Sequence, residues 1–325
     1  MTVQGADTDA VAAAAEVLGD LAETSVPLAP MTTYRVGGAA ALFVRPKSVA
    51  DLHVVAEAID RSGLPVLVVG RGSNLLVADE GFRGIALSLA TLGNDIEIDG
   101  DRVRAGGAVA LPVLARRTVA AGLQGFEWAV GVPGSVGGGV RMNAGGHGSD
   151  MAAALVDVEL FDLLQRRHGH VVADRLGLRF RGSDLADHQV VVNARLQLAF
   201  GDRERSEAEL DDIVRWRREH QPGGQNAGSV FVNPVPGELA AGALIDGLGL
   251  RGMRMGTAHV SDKHANFIQA DDGGSAADVR ALMDEVRRLV AEHTGHLLRS
   301  EVRLVGFADD EHERERGALF AGVSW

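Results

Sequence analysis

The sequence predicts an α+β chain built from two or three units. Three observations carry this. At 325 residues the chain exceeds the ~250–300 at which single hydrophobic cores stop growing. Strand-like apolar runs and amphipathic helices are interspersed along it. Near residue 200 the texture changes, where the charged run GDRERSEAELDDIVRWRREHQPGGQ reads as a helix closed by Pro222, Gly223 and Gly224, the start of a separate unit.

The elements follow in order. Residues 8–23 read as a short alanine-rich amphipathic helix, and Ala41–Val44 as a strand after Gly37 and Gly38. Ser48 caps a helix whose apolar face is Val49, Leu52, Val55, Ala56 and Ile59, and Gly63 ends it. Pro65 then opens VLVVG, a continuously apolar run of the kind buried on both faces. Further strand-like runs lie at Ile85–Leu89, Ile96–Ile98, Val103–Ala105, Val156–Leu164 and Val190–Phe200, with a helix at Leu111–Ala121. Beyond residue 224 come a compact turn holding Ser229, a helix around Glu238–Leu248, and a strand near Asn266–Ala270. A long helix follows, opened by Ser275 and Asp278 in capping-box spacing and stopped by Gly295. HLLRSEVRLVGF alternates as a last strand, and the acidic tail after Phe307 reads as appended and mobile.

Composition narrows the function. Hydrophobic residues make up 46% and charged residues 23%, ordinary for a globular protein; at 4% aromatic, the core must be built of Val, Leu and Ala. A net charge of −12 argues against nucleic acid or an anionic membrane as partner, so an anionic ligand must be held by local arginines, lysines and amides. The absence of cysteine removes disulfides, thiolate metal sites and thiol nucleophiles, and no metal site is expected. The first residues are acidic where a signal peptide is basic, and no apolar run reaches about 18 residues, which makes the cytoplasm the expected compartment.

Two glycine-rich segments stand out. GVPGSVGGGVRMNAGGHG (131–148) holds no apolar run long enough for a core strand or helix. Glycine at this density reads either as a flexible linker or as backbone that approaches a flat or phosphorylated cofactor closely. Val132, Pro133, Val136, Val140, Met142 and Asn143, stiff or specific residues between the glycines, favour the second. The run from Gly70 to Leu76 follows a strand, yet GxGxxL lacks the third glycine of a dinucleotide fingerprint, so a phosphate cradle and an ordinary tight turn both stay open. Arg179 and Arg181 share a face if LRFRGSDL is extended, as salt-bridge partners or as an anion site. Glu301 lies between Arg299 and Arg303, either in an exposed charge pair or, if that face lines a cleft, as an acid or electrostatic partner.

Taken together, TTYRVGG (32–38), VVGRGSNLLV (68–77), GVPGSVGGGVRMNAGG (131–146), RFRGSDL (179–185), NAGSVFVNP (226–234), SDKHANFIQ (261–269) and RSEVRLVG (299–306) resemble, in order, the flavin-dependent UDP-N-acetylenolpyruvoylglucosamine reductases of peptidoglycan synthesis. Each motif alone is weak and the ordered set is specific. The resemblance implies a vanillyl-alcohol-oxidase/PCMH-type FAD-binding fold of two lobes plus a C-terminal α+β substrate-binding domain. The expected units are an N-terminal extension over 1–27, FAD-binding lobes over 28–90 and 91–200, the substrate domain over 201–307, and a tail over 308–325. It also implies non-covalent FAD, NADPH as co-substrate and a UDP-sugar substrate; oligomeric state stays open, with a monomer favoured.

By the same resemblance, FAD is gripped between two loops, through Gly70, Arg71, Gly72, Ser73, Asn74 and Leu75 on one side. Pro133, Gly134, Ser135, Gly137, Gly138, Asn143 and Gly145 serve on the other. The catalytic residues carry over to Arg181 and Glu301, which stabilise an enolate-like state, and Ser229, the proton donor. Asn233, Lys263 and His220 are implied contacts to the sugar nucleotide. Two departures stand out: His220 replaces a lysine frequent in relatives, and Phe180 replaces a tyrosine. The short segment 199–212, without a tyrosine-bearing lid, resembles the lidless branch. A sugar or alcohol oxidase of the same superfamily and an inactive flavin-binding paralogue are the competing readings.

Overall fold

The computed structural model describes residues 3–307; the acidic tail expected to be mobile lies outside the described residues. Helix α1 (Val3–Leu18) ends five residues short of the expected position, because the chain turns extended as β1 (Ala22–Pro27). This strand escaped the sequence reading because it is a polar edge strand, largely exposed and closed by a proline. It pairs antiparallel with β2 (Ala39–Val44). Then come α2 (Val49–Ser62), β3 (Val66–Val68), β4 (Leu75–Val77) and β5 (Phe82–Leu87). β5 lies parallel to both β2 and β3 in a sheet of order β1-β2-β5-β3. Ser48 caps α2 as expected, Asp51 completes a capping box that was not anticipated, and Gly63 closes the helix in the left-handed conformation.

The second sheet is antiparallel throughout. Its order is β12-β11-β13-β7-β6, from β6 (Ile96–Asp99), β7 (Arg102–Gly106), β11 (Leu155–Asp162), β12 (Arg167–Val172) and β13 (Gln189–Gln197). β12, also missed, is another mostly exposed edge strand. Between β7 and β11 lie α3 (Leu111–Ala120), β8 (Leu123–Gln124), α4 (Val136–Arg141) and the hairpin β9 (Gly145–Gly146) and β10 (Ser149–Asp150). The middle of the long glycine segment is therefore helical, against expectation: Ser135 caps the glycines through the Gly138 amide, and Val136 and Val140 bury one side. After β14 (Ala199–Phe200) the charged helix α5 (Arg203–His220) packs Leu210 and Ile213 into the core beneath the second sheet, and Ser206 donates to buried Glu127 at 2.7 Å. The change in texture at residue 200 is thus a change in surface charge, while the packing of α5 continues that of the preceding segment.

The C-terminal segment holds α6 (Ala241–Gly247), β15 (Arg254–Met255), β16 (Ala258–Val260), β17 (Ile268–Ala270), α7 (Ala276–Thr294) and β18 (Arg303–Val305). α7 presses Val279, Leu282, Met283, Val286 and Val290 onto β16 and β17. Buried Tyr34, Val36 and Leu76 join this core from the first lobe. β18 pairs in parallel with β4, and Asp79 accepts from Ser275 Oγ and the Ala276 and Ala277 amides at the start of α7. These contacts tie the C-terminal segment to β4 and the turn after it. Among the described residues no helix is long and apolar enough to cross a membrane.

Candidate active site

The loop Gly70–Asn74 and the segment from Gly131 to Gly145 face each other across a cleft of about 520 Å³. A second chamber of about 300 Å³ adjoins it, shared through Val68, Gly70, Ser135, Gly138 and three arginines. The glycines serve two purposes. A Cβ on Gly70 would stand 2.3 Å from Ser135 Oγ, and one on Gly72, at φ +60°, would stand 2.1 Å from the Met31 carbonyl. These two let the loops pack on each other and on the chain behind. At Gly138 a Cβ would meet only Ser135 Oγ, at 3.5 Å, so that position leaves backbone open toward the cleft. Gly70, Arg71, Gly72, Ser73, Asn74, Leu75, Pro133, Gly134, Ser135, Gly138 and Gly145 line the larger chamber, and Gly137 the smaller.

Asn143 does otherwise. It sits at φ +39°, nearly buried, with its amide donating to Asp150 and the Arg179 carbonyl while its oxygen accepts from the Ala152 amide. It pins the glycine segment from behind and is not on the cleft wall. Asn74 likewise works on the protein: its amide donates to the Glu301 carbonyl at 2.9 Å, and its own carbonyl accepts from the Arg303 amide.

Three side chains from distant segments meet in the larger chamber: Arg181, Ser229 and Glu301. RFRGSDL is a tight turn and not the extended strand considered above, so Arg179 and Arg181 do not share a face. Arg179 is bound to Asp184 and to the Ser183 and Gly177 carbonyls, whereas Arg181 sits at φ +57° with its Nε 3.0 Å from Glu301 Oε1. A left-handed arginine costs roughly 1–3 kcal/mol, held here by the surrounding turn and the carboxylate. Phe180 is half exposed, and the Arg181 guanidinium lies 5.0 Å from its ring centre. Glu301 thus takes the cleft reading: it is 20% exposed and paired across the cavity wall.

Ser229 and Glu301 are held together by a short antiparallel contact. The Glu301 amide donates to the Val230 carbonyl at 2.7 Å, and Phe231 bridges Ser300. Asn266 fastens the serine segment from the other side. Its backbone carbonyl accepts from the Val230 amide, its side-chain oxygen accepts from the Phe231 amide, and its side-chain amide donates to the Phe231 carbonyl. His264 Nδ1 in turn accepts from the Asn266 amide at 3.2 Å, and burial together with the nearby Arg251 holds this imidazole below its ordinary pKa. The sequence reading missed both residues, though they lie within SDKHANFIQ, because a buried amide that braces a loop leaves no periodic signature.

The expected sugar-nucleotide contacts fall elsewhere. Asn233 accepts from the Ala241 amide at the start of α6. Lys263 Nζ donates to the Arg218 carbonyl, and His220 stacks on Trp216 at 4.7 Å with its Nδ1 2.8 Å from the Trp216 carbonyl. None of the three lines the cleft; Lys263 and His220 instead sit about the C-terminus of α5, whose Arg217 and Gln221 do line it. Arg141, Asp187, His188 and Arg303 also line it and were not anticipated.

Two adjoining chambers, with backbone bared at Gly138 and three arginines lining both, suit a flavin dinucleotide. Residues 40–164 match the FAD binding domain family, and 220–305 match the family described as UDP-N-acetylenolpyruvoylglucosamine reductase, C-terminal domain. Fold, site and the matched FAD binding domain define an FAD-dependent oxidoreductase. The UDP-N-acetylenolpyruvoylglucosamine reductase of Heliobacterium modesticaldum is 42% identical over 302 residues, covering 89% of this chain and 95% of that one. That of Methylorubrum extorquens is 40% identical, covering 92% and 96%. The crystal structure of the Thermus caldophilus enzyme, 34% identical, superposes with a TM-score of 0.76 over 87% of this chain and 98% of its own. The chain belongs to the UDP-N-acetylenolpyruvoylglucosamine reductase family.

Proposed function

We propose that this chain reduces the enolpyruvyl double bond of UDP-N-acetylglucosamine enolpyruvate, using NADPH through bound FAD, to give UDP-N-acetylmuramate. The observation that carries the reading is the convergence of Arg181, Ser229 and Glu301 in one glycine-walled chamber. Bound FAD supplies the hydride, taken from NADPH and passed to the double bond. The larger chamber would hold the ring system and substrate, with the open backbone at Gly138 lining it.

Hydride addition to one carbon builds negative charge on its neighbour and on the attached carboxylate. The Arg181 guanidinium stabilises that charge, and a fixed donor of this kind is worth roughly 2.7–4 kcal/mol. Glu301 pairs with the Arg181 side chain and would hydrogen-bond the bound substrate, while the Arg179–Gly182 backbone pair closes the left-handed turn. Ser229 donates the proton that completes the reduction. An alcohol does this when the carbanion is formed beside it and a neighbouring group or water restores its proton. The bracing by Asn266 keeps the hydroxyl where the carbon arrives.

Ser229→Ala separates the two half-reactions. In stopped flow, NADPH bleaches the flavin of the variant at a rate close to that of the native chain, while reoxidation by the enolpyruvyl substrate falls by about 10²–10⁴. Equal loss in both halves removes Ser229 from the proton-donor role. Turnover with oxygen as fast without substrate as with it replaces the reductase by an oxidase.

A further inference from the structure

We propose that Asn74 is a positioning residue for the reduction: its side-chain amide, acting through the Glu301 backbone, sets the Glu301 carboxylate against Arg181. The inference rests on the reductase reading and gives a role in it to a residue that resemblance made a flavin contact. Asn74 lines the larger chamber, but its Nδ2 donates to the Glu301 carbonyl at 2.9 Å.

The backbone at Glu301 explains why a side chain is needed there. β18 pairs with β4 only from Arg303 onward, where Arg303 faces Leu75 and the Arg303 amide donates to the Asn74 carbonyl at 2.9 Å. Before that the chain bends at Val302, whose carbonyl accepts from Ser300 Oγ at 2.8 Å. Glu301 therefore lies outside the ladder with β4, and the amide of Asn74 supplies the next rung. On the other side, the Glu301 amide donates to the Val230 carbonyl at 2.7 Å. The peptide groups flanking the Glu301 carboxylate are thus held from two directions, by the loop Gly70–Asn74 and by the segment carrying Ser229. Backbone fixed on both sides fixes the direction of the Cα–Cβ bond, and so where the carboxylate meets Arg181 Nε, 3.0 Å away.

Asn74 is itself carried by a fixed turn. The Gly72 carbonyl accepts from the Thr33 amide at 3.2 Å and from the Leu75 amide at 3.4 Å, and Gly72 sits where the Met31 carbonyl leaves no room for a Cβ. Asp79, past the far end of β4, offers the contrast. It accepts from the start of α7 at 2.7, 2.9 and 3.0 Å, and so fastens the C-terminal segment from outside the lining of the cleft. Asp79 ties two parts of the chain together; Asn74 does so and also aims a carboxylate.

The test compares Asn74→Ala and Asn74→Asp, which lose the donor, with Asp79→Asn, all in the full-length chain with its flavin bound. In stopped flow, both Asn74 variants slow reoxidation by UDP-N-acetylglucosamine enolpyruvate about tenfold or more, the scale of a slightly misplaced reacting group. Reduction by NADPH, the Kd for FAD and the KM for substrate each change by less than about threefold. Added to Glu301→Gln, Asn74→Ala costs less than about threefold more, because its effect runs through a carboxylate already gone. Asp79→Asn lowers the melting temperature and leaves both half-reactions within about threefold of native. Full additivity of Asn74→Ala with Glu301→Gln overturns the proposal. So does a tenfold loss of FAD affinity, which makes Asn74 a flavin contact, and so do native rates with a lowered melting temperature, which make it a strap like Asp79. A native chain whose reduced flavin is not reoxidised by the enolpyruvyl substrate overturns the reductase reading and the role built on it, a separate result.

Discussion

The two walls of the cleft are made in opposite ways. The wall proposed to face the cofactor, from Gly70–Leu75 and Gly131–Gly145, is largely backbone held by close chain-to-chain packing. The wall proposed to be reactive, from Arg181, Ser229 and Glu301, is side chain held by hydrogen bonds from residues behind it. A backbone wall depends on what is absent at each position, a Cβ above all. A side-chain wall depends on groups that brace the reacting ones, and fails when a brace is lost. The same ligand thus meets one surface sensitive to addition and another sensitive to deletion.

The reactive wall gives the largest expected effect. Glu301→Gln keeps the shape and removes the charge facing Arg181, and Arg181→Lys replaces a fork by a point charge on a left-handed residue. Each lowers the rate of reoxidation by substrate about 10²–10³-fold while leaving reduction by NADPH within about threefold. Equal loss of both half-reactions in either variant would mean that the pair holds the flavin and not the developing charge.

Two glycine variants sharpen the contrast within the cofactor wall. Gly72→Ala puts a Cβ at φ +60° against the Met31 carbonyl, so the fold itself loses about 2 kcal/mol or more, read as a fall in melting temperature of the flavin-free chain. Gly138→Ala meets no protein backbone and stands within α4, so it leaves that melting temperature level or raises it slightly. Its Cβ enters the cleft, and flavin affinity falls. Were Gly138→Ala to bind flavin as tightly as the native chain, the open backbone there would have no cofactor against it.

How much of this was legible in the sequence follows the same division. Glycine density and the strands around it exposed the cofactor wall, since backbone that must come close or turn left-handed leaves a compositional mark. The helix inside that wall was not legible, because Val136 to Arg141 carries three glycines and gains its helicity from the Ser135 cap and the buried Val136 and Val140. Edge strands β1 and β12 were missed because exposed strands do not alternate. The pattern offered Arg181 as an anion site and Glu301 as an acid only as open alternatives, and their grouping with Ser229 came through resemblance: a spacing of tens of residues says nothing about convergence. The braces Asn143, Asn266 and His264 were read as contacts or passed over, since buried polar side chains that hold a loop look like any polar residue.

Asn266 tests the bracing idea directly. Asn266→Ala leaves the Phe231 amide and carbonyl without their side-chain partners, in a segment that is buried, at about 1–3 kcal/mol. The expected result is a fall in kcat with KM for substrate changed less than about threefold, since the serine moves and the nucleotide contacts stay. A rise in KM with kcat preserved would place the segment in substrate binding instead.

The smallest expected effect is a pH dependence from the histidine behind that asparagine. His264 is held below its ordinary pKa by burial and by Arg251, with Asp246 opposing, and its Nδ1 must be unprotonated to accept from the Asn266 amide. A lowered folded-state pKa means the unfolded chain takes up the proton first. Stability is therefore intact above the unfolded value near 6.5 and is lost as pH falls from there through the lower folded value. His147, lowered by burial and Arg217, works in the same direction. His264→Gln offers an acceptor that does not titrate in this range. The difference in melting temperature between it and the native chain should favour the native chain at pH 8 and shrink as pH falls below about 6.5. A difference that stays constant from pH 8 to pH 5 would show that His264 holds Asn266 by packing alone.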